Sequence, residues 1–432
     1  MSPCVKVKMI LLSAITASFC LSSVAWGNPH GLSSNGYWAL HLPFDLEPSE
    51  VTGGKYLAMG GAALAVADDV RASALNPAGL SALRDMQLAV DISYSSYEKD
   101  YMDTYASVNN IGLGPDLDEF RTFDDSIADL SFAGAAMQVV PGKLTASVYY
   151  RSSAFTGSDN QNSGPEPVFD STLNLLQENI SEKNIEEYRK RSYGIAAAFN
   201  YSELFSFGAA VSLETLNTNL REMWTTNTYT GSVHDSSISY GGIIDGNDND
   251  FSFSLGMLFK PASDISAALS YRKGSSFSID YSSVETTCSL SSCDDAIENL
   301  QAIFDTPDIW SVGVAWYPVP NWLLTAQADW VGYSALADAS TSGNTLDEEI
   351  DDGVILRFGT EKTFIVSNSL NCQIRAGLFR IPDHDGFQAI DSDQMYYTLG
   401  GGVNWNKDIK VDIGASFSED SFNSVLSLTY SL

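Results

Sequence analysis

Arginine is the side chain best built to hold a carboxylate, because its planar guanidinium presents paired N–H donors and stays charged when buried. Arg272, Arg357 and Arg375 lie in segments where apolar residues alternate with small or polar ones, and all three fall on the non-apolar face. Asp329 and Glu361 share that face. Two roles therefore compete for each arginine: a rung in an ion-pair lattice, the commoner one, or a cation awaiting an anionic ligand. Arg357 and Arg375 are the strongest ligand-carboxylate candidates, because they lie in adjacent segments. Catalysis finds little support. There is no Gly-x-Ser-x-Gly elbow and no His-Glu-x-x-His, and His30, His41, His234 and His384 are scattered. The acidic run Asp245 to Asp250 lacks the spacing and terminal glutamate of an EF-hand. Neither a catalytic residue, a metal site nor a cofactor is expected.

The elements that must carry these arginines are strands. Leu88 to Tyr94, Ile409 to Ala415 and Leu426 to Leu432 alternate with a period of two. Strand candidates centre on 86–97, 129–140, 143–155, 189–202, 204–217, 251–260, 264–280, 309–318, 321–333, 353–366, 370–380, 395–405, 408–418 and 423–432. Strands of about 10 residues without a long apolar run suit a tilted crossing of a bilayer, with lipid outside and water inside. The links are tight and turn-rich at Pro141-Gly142, Ser202-Glu203, 261–263, 318–320, 366–369 and Asn406-Lys407, and long in between. Short turns on one side and long loops on the other are the habit of outer-membrane barrels, so the fold class expected is all-β, an antiparallel transmembrane barrel of about 14 strands. Trp310 and Trp316, and Trp322 and Trp330, end two outward stripes as an aromatic girdle would.

Composition agrees. The formal net charge is −31, with acid concentrated in the long links and no basic patch, which argues against nucleic acid. A mean hydropathy of −0.05 does not exclude a membrane protein whose apolar residues alternate. Lys6 and Lys8, the apolar stretch Met9 to Val24 and Ala25-Trp26-Gly27 form a cleavable secretory signal over residues 1–27. Cys288 and Cys293 are close enough for a short disulfide in an oxidising compartment, and Cys372 falls on an outward strand face as a small hydrophobe.

Residues 28–85 form neither strands nor a domain with a large core of its own. They contain Met59-Gly60-Gly61-Ala62, the pair Asp68-Asp69 and Asn76-Pro77-Ala78, just ahead of the first strand. In this order the motifs resemble the N-terminal plug, or hatch, of the FadL/TodX outer-membrane transporters. Gly60 and Gly61 suit sharp turns in a crowded lumen, Pro77 biases Asn76 towards extended backbone, and Asp68 and Asp69 are placed to cap a turn or pair with lumen arginines. Fold maintenance without ligand contact is the leading role for these residues.

The resemblance implies a plugged barrel over residues 86–432 that carries long-chain fatty acids or other hydrophobic compounds across the outer membrane. Outer-membrane lipid and lipopolysaccharide are expected contacts, and Leu426 to Leu432 resembles the C-terminal signal read by the barrel-assembly machinery, departing from it in ending with Leu432 rather than an aromatic, though Tyr430 shares the face. Its helical outer loops would form a capture groove. The candidates are Leu173 and Leu176 in one near-helical stretch, and Ile297, Leu300 and Phe304 in another. An alternative is a barrel of this family serving as a binding or scaffold component of an envelope secretion system.

Overall fold

The computed structural model describes residues 51–102, 120–156, 160–169, 175–230, 233–289, 293–337, 340–341, 344–345, 351–382, 393–406, 408–419 and 421–432. The expected signal segment lies outside them. In chain order the strands are β1 (Gln87–Met102), β2 (Phe120–Val140), β3 (Leu144–Thr156), β4 (Asn160–Phe169), β5 (Leu175–Asn200), β6 (Phe205–Thr230) and β7 (Val233–Ala262). There follow β8 (Ile265–Arg272), β9 (Ser276–Ser289), β10 (Cys293–Asp305), β11 (Ile309–Val319), β12 (Trp322–Val331), β13 (Ser340–Thr341) and β14 (Asn344–Thr345). The last are β15 (Gly353–Ser367), β16 (Leu370–Ile381), β17 (Gln394–Trp405), β18 (Ile409–Phe417) and β19 (Ser421–Ser431).

Fourteen of these close a single antiparallel barrel, with β1 paired to β19 from Gln87–Ser431 to Tyr97–Ser421. The other five, β4, β9, β10, β13 and β14, extend the sheet on the long-loop side. Alternation decides which face meets lipid. On β11, Trp310, Val312, Val314 and Trp316 are exposed while Ser311 and Ala315 are buried. On β12, Trp322 and Trp330 point out while Leu323, Thr325 and Asp329 point in.

Three sequence expectations change. Much of the length assigned to long loops is strand: β5 and β6 each run 26 residues and β7 runs 30, far beyond a bilayer crossing of about 10. Beyond the membrane both faces meet water, so the apolar alternation that marks a strand disappears although the backbone ladder continues. The same effect overturns the helical reading of the capture segments. Leu176 lies on β5, and Ile297, Leu300 and Phe304 lie on β10, each held in register by neighbouring strands, while Leu173 lies outside the described residues. The single strand expected over 264–280 is broken at residues 273–275. Cys372 keeps the outward register of Ile374 and is buried.

Residues 51–85 pack inside the barrel. Starting at β1 and going round, they meet Asp91, Gln138, Ser147, Asn200, Gly208, Gly256, Ser266 and Gly313. The circuit continues through Gln327, Gly359, Gly377, Thr398, Gly414 and Ser427, which completes the wall. A segment that touches the inner face of every stave of a closed cylinder must lie within it. Small residues make the room. Gly208 pairs across strands with Gly256, Gly359 with Gly377 and Gly400 with Gly414, and at each a methyl group would strike the hatch.

Candidate ligand site

The hatch is local structure pinned by a few polar side chains. Gly60 and Gly61 have φ of +64° and +74°, a conformation that L side chains avoid, and a Cβ on Gly60 would lie 2.6 Å from the carbonyl oxygens of Phe358 and Leu378. Asn76 is extended ahead of Pro77, which opens a short 3-10 helix (Pro77–Ala82), and its Oδ1 accepts from the Ala78 N–H at 3.2 Å. Asp69 does cap a turn, accepting from the Arg71 N–H at 2.9 Å.

The expected pairing of Asp68 and Asp69 with arginines of the wall is not what forms. Both pair within the hatch, Asp68 with Lys55 and Asp69 with Arg71. Arg71 then reaches across the barrel's closing seam. Its Nε donates to both carboxylate oxygens of Asp91 on β1 at 2.9 and 3.0 Å, and its Nη1 donates to Thr429 Oγ1 on β19 at 2.8 Å. Burial works against charge on Arg71, but Asp69 and Asp91 outweigh it and hold the guanidinium firmly protonated. Lys55 and Asp68, 2.7 Å apart, occupy a wetter position, with 49% of the Asp68 side chain exposed. Burial alone would raise the Asp68 carboxyl, yet Lys55 and Lys410 hold it well below the usual carboxylate range.

The two wall arginines singled out from sequence lie on neighbouring strands, β15 and β16, in different surroundings. Arg375 is fully engaged: its Nε donates to Glu361 Oε2 at 2.6 Å and its Nη1 to Asp412 Oδ1 at 2.7 Å. Arg357 donates through Nε to Asp329 Oδ2 at 2.7 Å, and its guanidinium lies 5.1 Å from the centre of the Phe379 ring. Its Nη1 is buried with no hydrogen-bond partner. That nitrogen is 2.7 Å from where a Cβ on Gly61 would stand, so the hatch glycine is what leaves space beside it.

The space belongs to a cavity of about 70 Å³. Hatch residues Val51, Ala63, Leu64, Ala74 and Leu75 form one side, and Ile309, Val331, Ile355, Gln327, Asp329 and Arg357 form much of the other. Above it the inward positions stay apolar: Tyr333, Phe379 and Ile381 are all buried. The arrangement offers an apolar hatch surface opposite a partly polar wall that carries the unpartnered Arg357 Nη1, which suits a hydrophobic molecule with a polar or anionic end.

Sequence reasoning missed Arg71, Asp91 and Asp412. A signal was present, since Asp91 and Asp412 interrupt the apolar alternation of β1 and β18 on the inward side, where a buried charge demands a partner. Cys288 and Cys293 face each other in register at the end of the β9–β10 hairpin. Among the described residues no group of three or more His, Cys, Asp or Glu is placed to hold a metal ion.

Fold and site together define an outer-membrane barrel closed by an internal hatch. The sequence model of the outer membrane protein transport family (OMPP1/FadL/TodX) matches residues 44–425, and the chain belongs to that family. Its fold is shared with the toluene transporter TodX of P. putida, at 14% identity and a TM-score of 0.63, over 89% of this chain and 99% of that one. A Pseudomonas aeruginosa FadL homologue matches at 14% identity and 0.60, over 88% and 98%. The Ralstonia pickettii toluene transporter TbuX matches at 13% and 0.60, over 89% and 99%. No curated protein matches the chain.

Proposed function

We propose that this protein takes up long-chain fatty acids or similar hydrophobic molecules with a polar end across the outer membrane, by transport rather than catalysis. The observation that carries this reading is the cavity between hatch and wall, where apolar hatch residues face a wall of mixed apolar and polar side chains, with the partnerless Arg357 Nη1 at its edge. Ligand pockets run from about 300 to 1,000 Å³, so a cavity of about 70 Å³ represents the closed state, and the hatch must shift to admit a whole ligand.

Arg357 is the ligand-facing cation in this reading. Arg375, already held by two carboxylates, acts as a wall strut. Ile297, two-thirds exposed on β10, offers apolar surface on the extended sheet for first capture, whereas Leu300 and Phe304 have the opposite strand parity and do not share its face. A disulfide between Cys288 and Cys293 ties the tip of the same hairpin. The chain reaches the outer membrane through its cleavable leader, is inserted by the assembly machinery, and its exposed belt meets lipid and lipopolysaccharide.

Uptake of labelled oleate and labelled toluene by cells with and without the protein tests the proposal. Faster oleate uptake is expected with it. Equal uptake of both probes in the two strains, together with a co-purifying secretion component, would overturn transport in favour of a scaffold role.

A further inference from the structure

The lipid belt has a sharp edge on three neighbouring strands. On β5, Tyr193, Ile195 and Phe199 are exposed while Ser192, Ala196 and Ala198 are buried, so the odd-numbered positions face out. Tyr193, Leu213 on β6 and Phe251 on β7 share one rung, and all three are exposed. The next outward rung towards the long-loop side is Arg191, Thr215 and Asn249, and the one after it is Arg189, Asn217 and Asn247. The outward face thus turns from apolar to polar within one step, as it must where acyl chains give way to headgroups.

Two cations stand on that boundary with no acid opposite them on either neighbouring strand. On the other edge of β5, Arg191 faces Ser152 and Arg189 faces Ala154. The acids of β6 and β7 occupy the alternate positions and are already engaged. Glu214 accepts from the Ser192 and Ser212 hydroxyls, and Asp250 and Asp248 accept from the Ser276 and Ser278 N–H groups. Asp129 on β2 likewise accepts from the Ser152 hydroxyl. Among the described residues neither Arg189 nor Arg191 forms an ion pair, whereas Arg380, another outward cation, is tied to Asp393. The next outward position along β5 is Glu187, where the basic stretch ends.

We infer that Arg189 and Arg191 form a headgroup site for the phosphates of lipopolysaccharide in the outer leaflet. The inference names one surface for the lipid contact proposed above, and it depends on placement in the outer membrane, not on transport. Side chains two apart on one strand face are rooted roughly 7 Å from each other, and each guanidinium presents paired N–H donors that match phosphate oxygens. Tyr150 and Tyr193, paired on the last apolar rung with ring centres 5.4 Å apart, cover the acyl side of the boundary. A formal net charge of −31 repels anionic lipid at long range, but that field is screened beyond about 8 Å at physiological ionic strength, so unpaired cations at the contact decide binding there.

Binding of bisphosphorylated lipid A to the detergent-solubilised protein tests this site. Arg189→Ala with Arg191→Ala should weaken it about 10-fold or more, while Arg380→Ala leaves it unchanged. Independently of any variant, the wild type should bind dephosphorylated lipid A about 10-fold more weakly than the bisphosphorylated form. An equal concentration of inorganic phosphate should not displace the lipid. Equal affinity of wild type and double variant, or equal affinity of the wild type for the two lipids, would overturn the site. Displacement by inorganic phosphate would overturn it in favour of a free-anion site. Oleate uptake no faster with the protein than without it would remove the transport reading and leave this site standing.

Discussion

Arg71 and Arg357 are both almost completely buried, both positive and both beside aspartates, yet they sit in opposite kinds of place. Arg71 bridges hatch, first strand and last strand, with Asp69, Asp91 and Thr429 around it. Arg357 spends one N–H on Asp329 and leaves another beside a cavity with nothing to receive it. A buried donor left without a partner weakens stability, so the fold loses something at Arg357 that it does not lose at Arg71. The seam side of the hatch is thus an anchor, and the cavity side is where a buried donor stays unpaired, the position the proposed function assigns to the ligand.

The largest effect should come from breaking the anchor. Arg71→Ala leaves Asp91, which is 0% exposed, without its cation, and should cost about 3–5 kcal/mol of stability. Urea unfolding of the detergent-solubilised barrel measures it, and an unchanged midpoint would remove Arg71 as the anchor. Arg357→Met also leaves the buried Asp329 without its cation and should lower stability, but it should in addition act on binding by the folded fraction. Losing one charge-assisted hydrogen bond of about 1.5–3 kcal/mol weakens fatty-acid affinity roughly 10- to 100-fold. Arg375→Met, by contrast, should lower stability and leave the affinity of the folded fraction unaltered, because its donors are committed to Glu361 and Asp412. If both variants lower affinity equally, or neither does, the distinction between strut and ligand cation is lost.

Next comes the fit of hatch to wall. Gly377→Ala puts a methyl group onto the backbone of Met59 and Gly60 and should destabilise by about 1–3 kcal/mol. Faster proteolysis within residues 51–85, with the barrel still intact, is the expected result. The smallest effect belongs to Lys55–Asp68, which is partly solvated and so contributes below about 1 kcal/mol. Because the folded state depresses the Asp68 carboxyl from 3.8, its contribution is complete above that pH and disappears as the pH falls further. The difference in melting temperature between wild type and Asp68→Asn should therefore be smaller at pH 3 than at pH 7.

The hatch shows how unevenly sequence reveals a site. Gly60, Gly61, Asn76 and Pro77 were legible because each is chosen for backbone geometry, a local property that residue type reports directly. Arg357 and Arg375 were legible as inward cations, because strand parity is local too. Their different fates were not legible. They depend on Asp412 sitting two strands from Arg375, and on a hatch glycine 296 positions upstream leaving room beside Arg357.

By itself, the sequence determined that strands with a lipid face exist, where the short turns fall, and that an unusual small-residue segment precedes them. Lipid contact imposes a period of two, and sharp turns impose particular residues. Only the tertiary structure decided how far the strands run beyond the membrane and which acid answers which arginine. Those outcomes depend on distances between segments far apart in the chain, and water on both faces of a strand erases the pattern that would otherwise announce it.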